Sequence, residues 1–369
     1  MSTNINNCTV VVGMSGGVDS SVTAALLLEQ GYRVIGVTMK TYDFDEVGRN
    51  VANEASCCGL GAVHDARLVA AKLDIPHYVV DFRQAFGRAV IDNFVEEYLN
   101  GRTPNPCVIC NREIKWGELL AKAEALGADF VATGHYARLR LDERSHRYVI
   151  SRAAYTEKDQ SYALWAVSQY ALSKTMFPLG NLTKPEVREK ARSLNLRNAA
   201  KDESFEICFV ADNRYERFLK DRIPSLETRV SGGDVVRDGE VVGKHKGFPF
   251  YTVGQRKGIG AFGRKMYVTE IDSLRNRVTI GTANQLDHRE LVAGSVHWSG
   301  MERPASEMRV TAKVRYNDEA AAATAVPLEE GKMKIVFDRP KRAITPGQSV
   351  VLYAGEDLIG GGIIERASN

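Results

Sequence analysis

A glycine-rich turn near the start of the chain constrains the fold more than any other feature. The segment GMSGGVDSS, residues 13–21, follows the apolar run TVVVGM and precedes VTAALLLEQ, whose apolar spacing is helical. Backbone amides in such a strand-to-helix turn can bind an anion, and the positive end of the helix reinforces them. The lysine of G-x-x-x-x-G-K-[ST] loops, which reaches the terminal phosphates of a nucleotide, is absent. The loop therefore predicts a site that binds pyrophosphate as a leaving group. ATP would then be cleaved between its α- and β-phosphates.

The first 212 residues alternate strand and helix patterns. RVIGVTMK, IPHYVVDF and ADFVATGH have the composition of short buried strands, and DARLVAAKLD and GELLAKAEALG have helical spacing. LTKPEVREKARSLNL predicts a further helix, with Thr183 as N-cap and Glu186 completing a capping box. This alternation predicts an α/β domain with a doubly wound, mostly parallel sheet. Ligands of such sheets lie at the carboxyl ends of strands, where the glycine-rich loop, Met39, Gly134 and His135 fall.

The sequence changes character after residue 212. Glycine-rich turns now separate alternating strand patterns such as GGDVVRDGEVVG and MYVTEIDSLRNRVTIG. This pattern predicts a small β domain followed by a C-terminal β-barrel. We therefore divide the chain into residues 1–212, 213–288 and 289–369.

Composition and charge limit the class of protein. The chain has 369 residues, of which 44% are apolar and 26% charged, which is typical of a globular protein. No apolar run approaches the length that spans a bilayer, and the first ten residues do not resemble a signal peptide. We expect a cytoplasmic protein with no membrane partner. The net charge is only +3, but residues 241–269 contain no acidic side chain and six lysines and arginines. That block could attract a phosphate backbone or be an ordinary solvated surface.

Cysteines in GRTPNPCVICNREIKW, residues 101–116, carry a second chemical signal. Cys110 precedes a helix-like segment with Arg112 and Lys115, an environment that favours a thiolate and raises its nucleophilicity. A C-x-x-C pair is also half of a zinc or iron–sulfur site, but Cys57 and Cys58 are adjacent and lack the usual spacing. Cys208, in KDESFEICFV, has by itself the pattern of a buried strand cysteine.

These motifs resemble one known family when they are read in order. GMSGGVDSS, TPNPCVICN, ATGHYAR, KDQSY and ESFEICF resemble the bacterial tRNA-specific 2-thiouridylases of the PP-loop N-type ATP pyrophosphatase superfamily. YTVGQRKG, VRYN and ITPGQSVVLY extend the resemblance through the β domains. It implies a HUP-like catalytic domain that binds ATP and Mg²⁺, and two β domains that help to hold tRNA.

The activity implied by this resemblance is 2-thiolation of the wobble uridine, position 34, in tRNA for Lys, Glu and Gln. The uracil C2 oxygen would be adenylated, and sulfur would come from a cysteine persulfide, with AMP and pyrophosphate released. The implied partners are tRNA and a persulfide donor, either a cysteine desulfurase or a relay protein.

The resemblance also implies roles for individual residues. Cys110 matches the catalytic nucleophile, and Cys208 matches the cysteine that carries the persulfide sulfur. The ATP-binding positions are Gly13, Met14, Ser15, Gly16, Gly17, Val18, Asp19, Ser20, Met39 and Gly134. The tRNA-binding positions are Asn105, Pro106, Cys107, His135, Lys158, Asp159, Gln160, Arg315, Tyr316 and Gln348. Cys107 stands where some members have an aspartate proposed as an acid–base group, so that role would fall here to a thiol or to water.

Other functions fit parts of the sequence. A PP-loop ligase or amidotransferase acting on a small-molecule carbonyl would share the loop but would need an ammonia source, and no catalytic cysteine follows Met1. A non-catalytic tRNA- or metal-binding protein would not need the SGGVDS loop. An iron–sulfur cluster completed by Cys208 is an alternative cofactor that we do not favour, and we expect no other metal site.

Overall fold

The computed structural model describes residues 7–43, 60–201, 207–210, 212 and 214–369. The chain forms two compact units, each assembled from separate stretches of sequence. The first unit comprises Met1–Val90, Cys107–Asn213 and Glu356–Leu358, and the second comprises Ile91–Pro106, Arg214–Gly355 and Ile359–Asn369. Cys57 and Cys58 lie outside the described residues.

A parallel sheet forms the centre of the first unit. The strands of this unit are β1 (Thr9–Gly13), β2 (Arg33–Lys40), β3 (His77–Asp81), β4 (Phe130–Ala132), β5 (Ala137–Asp142), β6 (Arg147–Arg152) and β7 (Thr175–Met176). Five of them form the parallel sheet in the order β3-β2-β1-β4-β7. The doubly wound fold predicted from the sequence is therefore confirmed, while β5 and β6 form an antiparallel hairpin that is not part of this sheet.

Strand β1 is at the middle of the sheet because both of its faces are apolar. Val10, Val11 and Val12 have no exposed surface. Val11 is in register with Ile35 of β2 on one side and Val131 of β4 on the other. A strand that is apolar on both faces suits burial under helices, as parallel sheets require. The glycine-rich loop follows the carboxyl end of β1 and therefore lies at the centre of that edge of the sheet.

Helices alternate with these strands. Up to residue 201 the α-helices are α1 (Val18–Glu29), α2 (Leu60–Lys72), α3 (Arg83–Phe86), α4 (Asp92–Leu99), α5 (Pro106–Ile109), α6 (Leu119–Ala125), α7 (Gln169–Ser173) and α8 (Lys184–Ser193). A π-helix, Cys110–Glu118, connects α5 to α6. Helix α8 has the predicted capping box, in which the Thr183 hydroxyl accepts from the Glu186 amide and the Glu186 carboxylate accepts from the Thr183 amide.

The second unit is built mainly from β-strands. A four-stranded sheet has the order β10-β11-β8-β9, and it precedes a six-stranded barrel in which β12 pairs with β17 to close the ring. The sheet strands are β8 (Asp234–Arg237), β9 (Glu240–Lys244), β10 (Tyr267–Asp272) and β11 (Arg277–Gly281). The barrel strands are β12 (Asp287–His297), β13 (Met308–Lys313), β14 (Ala321–Pro327), β15 (Met333–Arg342), β16 (Ser349–Ala354) and β17 (Asp357–Ser368). The small β domain and the β-barrel expected from the sequence are both present.

Two helices, α9 (Tyr215–Arg222) and α10 (Leu226–Val230), precede these strands. Helix α4 joins them, because the rings of Phe94 and Phe218 lie 5.8 Å apart and those of Tyr98 and Tyr215 stack at 4.6 Å. No helix in the described part of the chain is both long and apolar enough to cross a membrane.

Candidate active site

The glycine-rich loop turns sharply from β1 into α1. Gly16 has a φ of +71°, and a Cβ there would lie 2.2 Å from the carbonyl oxygen of Ala62. Only glycine fits this backbone conformation and this close approach. The amide of Ser15 donates to Ser20 Oγ at 3.2 Å, and the amide of Gly17 donates to Ser15 Oγ at 3.4 Å. Two loop amides thus donate hydrogen bonds to hydroxyl oxygens, and they could donate to phosphate oxygens instead.

Asn198 supports the loop from behind. Its side-chain amide is buried, and Nδ2 donates to the carbonyl of Gly16 at 3.1 Å and to Ser21 Oγ at 2.8 Å. Ser21 in turn donates to the carbonyl of Gly17 at 2.9 Å. These bonds draw the loop carbonyls toward the protein interior. The sequence reading did not select Asn198, which follows the loop by about 180 residues and belongs to no motif.

Asp19 is held by an ion pair that the sequence reading missed. Lys184 Nζ lies 2.7 and 2.8 Å from the two carboxylate oxygens of Asp19, and the hydroxyl of Tyr136 donates to Oδ1 at 2.9 Å. A role for Asp19 in positioning Mg²⁺ would therefore require it to exchange these partners. Lys184 is the first residue of α8, where a cation opposes the helix dipole. A lysine at this unfavourable position could have indicated, from the sequence alone, that a carboxylate partner lies nearby.

The other predicted nucleotide positions lie at the same edge of the sheet or beneath the loop. Met39 is half-buried near the end of β2, and Gly134 follows β4. A Cβ on Gly134 would lie 2.9 Å from backbone atoms of Asp19 and Ser20. The side chains of Met14 and Val18 are buried, so these two residues can offer a ligand only their backbone.

His135 is a buried residue with both ring nitrogens engaged. Nδ1 lies 2.7 Å from Thr133 Oγ1, and Nε2 lies 3.3 Å from Lys115 Nζ. Burial, reinforced by the charge of Lys115, holds the pKa of His135 well below its ordinary value. A neutral ring that accepts from Lys115 at Nε2 carries its proton at Nδ1 and donates it to Thr133. Both ring nitrogens are thus engaged within the protein, and the tRNA contact of His135 that the resemblance implies stays a prediction.

Cys110 begins the π-helix. Its side chain is half-buried, whereas Cys107, in α5, is exposed. Arg112 forms an ion pair with Glu113 at 2.6 Å, so Lys115 is the flanking cation that lacks a carboxylate partner among the described residues. Because a π-helix closes i to i+5 hydrogen bonds, residues five apart lie above one another. Lys115 therefore rises from the face of the helix that carries Cys110.

Cys208 lies in a turn rather than in a strand and is half-buried. Tyr42 donates to its carbonyl at 2.6 Å, and the ring of Phe209 packs on Phe86 of α3 at 5.7 Å. Helix α3 also packs against the π-helix that carries Cys110. The structure therefore places the segments of both predicted sulfur-handling cysteines against one short helix.

Within the described ranges, no group of three or more His, Cys, Asp and Glu side chains is placed to hold a metal ion.

The remaining predicted tRNA positions in the first unit lie in one turn after the β5–β6 hairpin. Asp159 accepts from the amides of Ala153 and Ser161, both at 3.1 Å, and Gln160 accepts from the amide of Tyr136 at 3.0 Å. Asp159 therefore stabilises the turn itself, and Gln160 attaches the turn to Tyr136, the residue after His135.

The second unit contains the other predicted tRNA positions. Gln348 donates to the carbonyls of Thr103 and Pro104, at 3.1 and 2.8 Å, and so fixes the segment that leads to Asn105 and Pro106. Arg315 and Tyr316 are exposed in the segment between β13 and β14. The basic side chains of residues 241–269 are also exposed, and they are Lys244, Lys246, Arg256, Lys257, Arg264 and Lys265. Lys244 is paired with Asp234 at 2.7 Å, which reduces the net charge of the block.

Comparison with known proteins places this arrangement in a family. Residues 8–212 match a tRNA methyl transferase HUP domain, residues 216–282 a tRNA methyl transferase PRC-barrel domain, and residues 288–364 an aminomethyltransferase β-barrel domain. The tRNA-specific 2-thiouridylase MnmA of Salinibacter ruber is 50% identical over 97% of this chain and 94% of its own. Proteins of the same name from Heliobacterium modesticaldum and Acetivibrio thermocellus are 52% and 49% identical, over 97% and 96% of this chain and 92% and 99% of their own. The chain therefore belongs to the tRNA-specific 2-thiouridylase family.

Proposed function

We propose that this chain uses Mg²⁺-bound ATP to convert the wobble uridine of tRNA for Lys, Glu and Gln to 2-thiouridine. The observation that carries the proposal is the combination, in one compact unit, of a glycine-rich loop at the N-terminus of α1 with two half-buried cysteines whose segments pack on α3. Family membership supports the choice of tRNA as substrate. Mg²⁺ would enter with ATP, because substrate phosphates commonly supply part of its oxygen ligands.

The loop serves the first half of this reaction. The uracil C2 oxygen attacks the α-phosphorus of ATP, and the bond to the oxygen that bridges the α- and β-phosphates breaks. Pyrophosphate leaves with that electron pair, and the N3 proton passes to solvent. The amides of Ser15 and Gly17 and the N-terminus of α1 are suited to hold the departing pyrophosphate. Adenylation is needed because a carbonyl oxygen is a poor leaving group, whereas AMP is a good one.

The two cysteines serve the second half. The Cys110 thiolate attacks the inner sulfur of a Cys208 persulfide, so that a Cys110–Cys208 disulfide forms and hydrosulfide leaves. Hydrosulfide adds to C2 of the adenylated uracil, and the C2–O2 bond breaks to release AMP. A dithiol reductant must then supply two electrons to restore both thiols. The target base must also leave its stack to reach buried groups, as in other base-modifying enzymes.

Reconstitution tests the proposal. Protein is incubated with ATP, Mg²⁺, a persulfide donor and unmodified tRNA, and the nucleosides and nucleotides are measured by mass spectrometry. We expect 2-thiouridine at position 34 and an equal amount of AMP. Formation of ADP in place of AMP would contradict the adenylation step.

Substitutions and substrate controls separate the alternatives. Cys110→Ser and Cys208→Ser should abolish thiolation supported by persulfide, whereas Cys8→Ser, beside the core strand β1, should leave it intact. A tRNA without uridine at position 34 should give no AMP. A ligase acting on a small-molecule carbonyl would instead release AMP only when that molecule is added, whether or not tRNA is present.

A further inference from the structure

The nucleotide loop has no lysine of its own, and two lysines contact Asp19 of this segment or His135 after β4. Lys184 is buried, and its charge is balanced by the Asp19 carboxylate at 2.7 and 2.8 Å. The pair is electrically neutral, so it adds little net attraction for phosphate. Lys115 is different, because in the described part of the chain its amino group contacts an imidazole and no carboxylate.

His135 holds Lys115 without neutralising it. The imidazole Nε2 accepts from Lys115 Nζ at 3.3 Å, and Nδ1 donates to Thr133 Oγ1 at 2.7 Å. Because a lysine ammonium can only donate, its bond to Nε2 fixes the tautomer with the proton at Nδ1, and the Thr133 hydroxyl accepts from that N–H. A carboxylate at this position would cancel the positive charge, whereas the neutral ring orients the ammonium and leaves its charge available to an anion.

Two contacts relate the anchored ammonium to the nucleotide loop, through His135 and Gly134. His135 directly follows Gly134, whose backbone is so close to Asp19 and Ser20 that a Cβ would approach them to 2.9 Å. The backbone of Lys115 belongs to the π-helix that begins at Cys110, and the i to i+5 register puts both residues on one face. Lys115 thus connects the helix of the nucleophile to the edge of the sheet where the nucleotide is expected.

We propose that Lys115 is a catalytic residue whose ammonium binds the non-bridging oxygens of the ATP α-phosphate during adenylyl transfer, with His135 as its positioning residue. This inference rests on the adenylation proposed above and assigns it a cation from outside the loop. As the α-phosphorus is attacked, these oxygens interact more strongly with a fixed cation. The interaction therefore stabilises the transition state more than the ground state. No electrons are transferred in this step, and Lys115 keeps its protons.

Kinetics of matched variants test the role of Lys115. Lys115→Met should lower tRNA-dependent AMP formation by about 100-fold, the usual effect of removing one preorganised donor. Its dissociation constant for an ATP analogue should change by no more than about threefold, because the contact matters most in the transition state. Lys115→Arg should restore part of the rate, and Lys122→Met, at an exposed position of α6, should have no effect.

His135 variants test the positioning role. His135→Gln can still accept a hydrogen bond from Lys115 and should retain more AMP formation than His135→Leu, which cannot. Release of hydrosulfide from persulfidated enzyme, a step without ATP, should be unchanged in both His135 variants, because they keep the charge of Lys115. Equal rates for His135→Gln and His135→Leu would remove the positioning role.

A footprint provides a readout besides activity. Lysine acetylation is measured peptide by peptide with and without α,β-methylene ATP and Mg²⁺. The analogue should protect Lys115 and leave Lys122 unchanged. An unprotected Lys115, or AMP formation by Lys115→Met within about threefold of the wild-type rate, would overturn the proposal. If wild-type protein forms no AMP with tRNA, the proposed function fails, whereas the footprint still reports whether Lys115 faces the nucleotide.

Discussion

Replacing Lys184 with methionine tests how strongly the Asp19 ion pair holds the nucleotide loop. The substitution keeps most of the side-chain volume and removes the ammonium that lies 2.7 Å from Asp19. The side chains of Lys184 and Asp19 are 8% and 30% exposed, so the pair is close to a buried one. Removing one member of a buried pair costs about 3–5 kcal/mol. Because Asp19 keeps its hydrogen bond from Tyr136 and some access to water, we expect a loss of about 2–3 kcal/mol.

The natural tryptophans provide the assay. Trp116 and Trp165 are buried in the first unit, and the third tryptophan, Trp298, lies in the second. In a Trp298→Phe background, fluorescence during urea unfolding therefore reports on the first unit. Lys184→Met should lower the unfolding midpoint of this signal.

A double variant identifies the cause of the loss. Asp19→Asn combined with Lys184→Met leaves no unpaired charge and should recover at least about half of the lost stability. A loss below about 0.5 kcal/mol in the single variant, or no recovery in the double variant, would refute the reasoning.

Three further substitutions probe the site and its surroundings. Gly134→Ala places a methyl group 2.9 Å from the loop backbone and should weaken binding of an ATP analogue by about tenfold in calorimetry, whereas Gly61→Ala, in open space on α2, should not. Asn198→Leu removes two buried hydrogen bonds to the loop and should cost about 2–3 kcal/mol in urea unfolding; an unchanged midpoint would contradict its supporting role. Hydrogen bonds from Arg83 lower the pKa of Asp81 from 3.8 to about 2, so the stability they add is present above pH 3.8 and is lost as the pH falls through 2. The stability difference between wild type and Arg83→Met should accordingly be constant near neutral pH and disappear between pH 4 and 2; a difference that persists at pH 2 would exclude this cause.

Local sequence signals predicted the framework of the first unit. The valines of β1 predict a strand that is buried on both faces, and the capping box predicts where α8 begins. Both patterns are formed by residues that are close together in the sequence. The SGGVDSS turn likewise specified a sharp bend and an anion-binding helix start. The buried strand, the sharp turn into α1 and the capping box are confirmed in the structure, whereas anion binding at this turn stays a prediction.

Contacts between distant residues were not predictable in the same way. Lys184 and Asp19 are 165 residues apart, and only the fold brings them together. The π-helix at Cys110 also has no local signature in the sequence, although it determines which side chains share a face with that cysteine. The roles of individual site residues and the three-part division of the chain stay predictions, and the structure adds the partners of Asp19 and His135 to them.

The hydroxyls that occupy the loop amides have a consequence for turnover. A phosphate that enters the loop exchanges intramolecular hydrogen bonds for new ones, so the net gain is smaller than it would be for exposed, unsatisfied amides. When pyrophosphate departs, the hydroxyls of Ser20 and Ser15 can again accept from the amides of Ser15 and Gly17, so neither of these two amides is left without an acceptor. We therefore expect weak product inhibition by pyrophosphate, since the vacated loop closes its own hydrogen bonds and competes with rebinding.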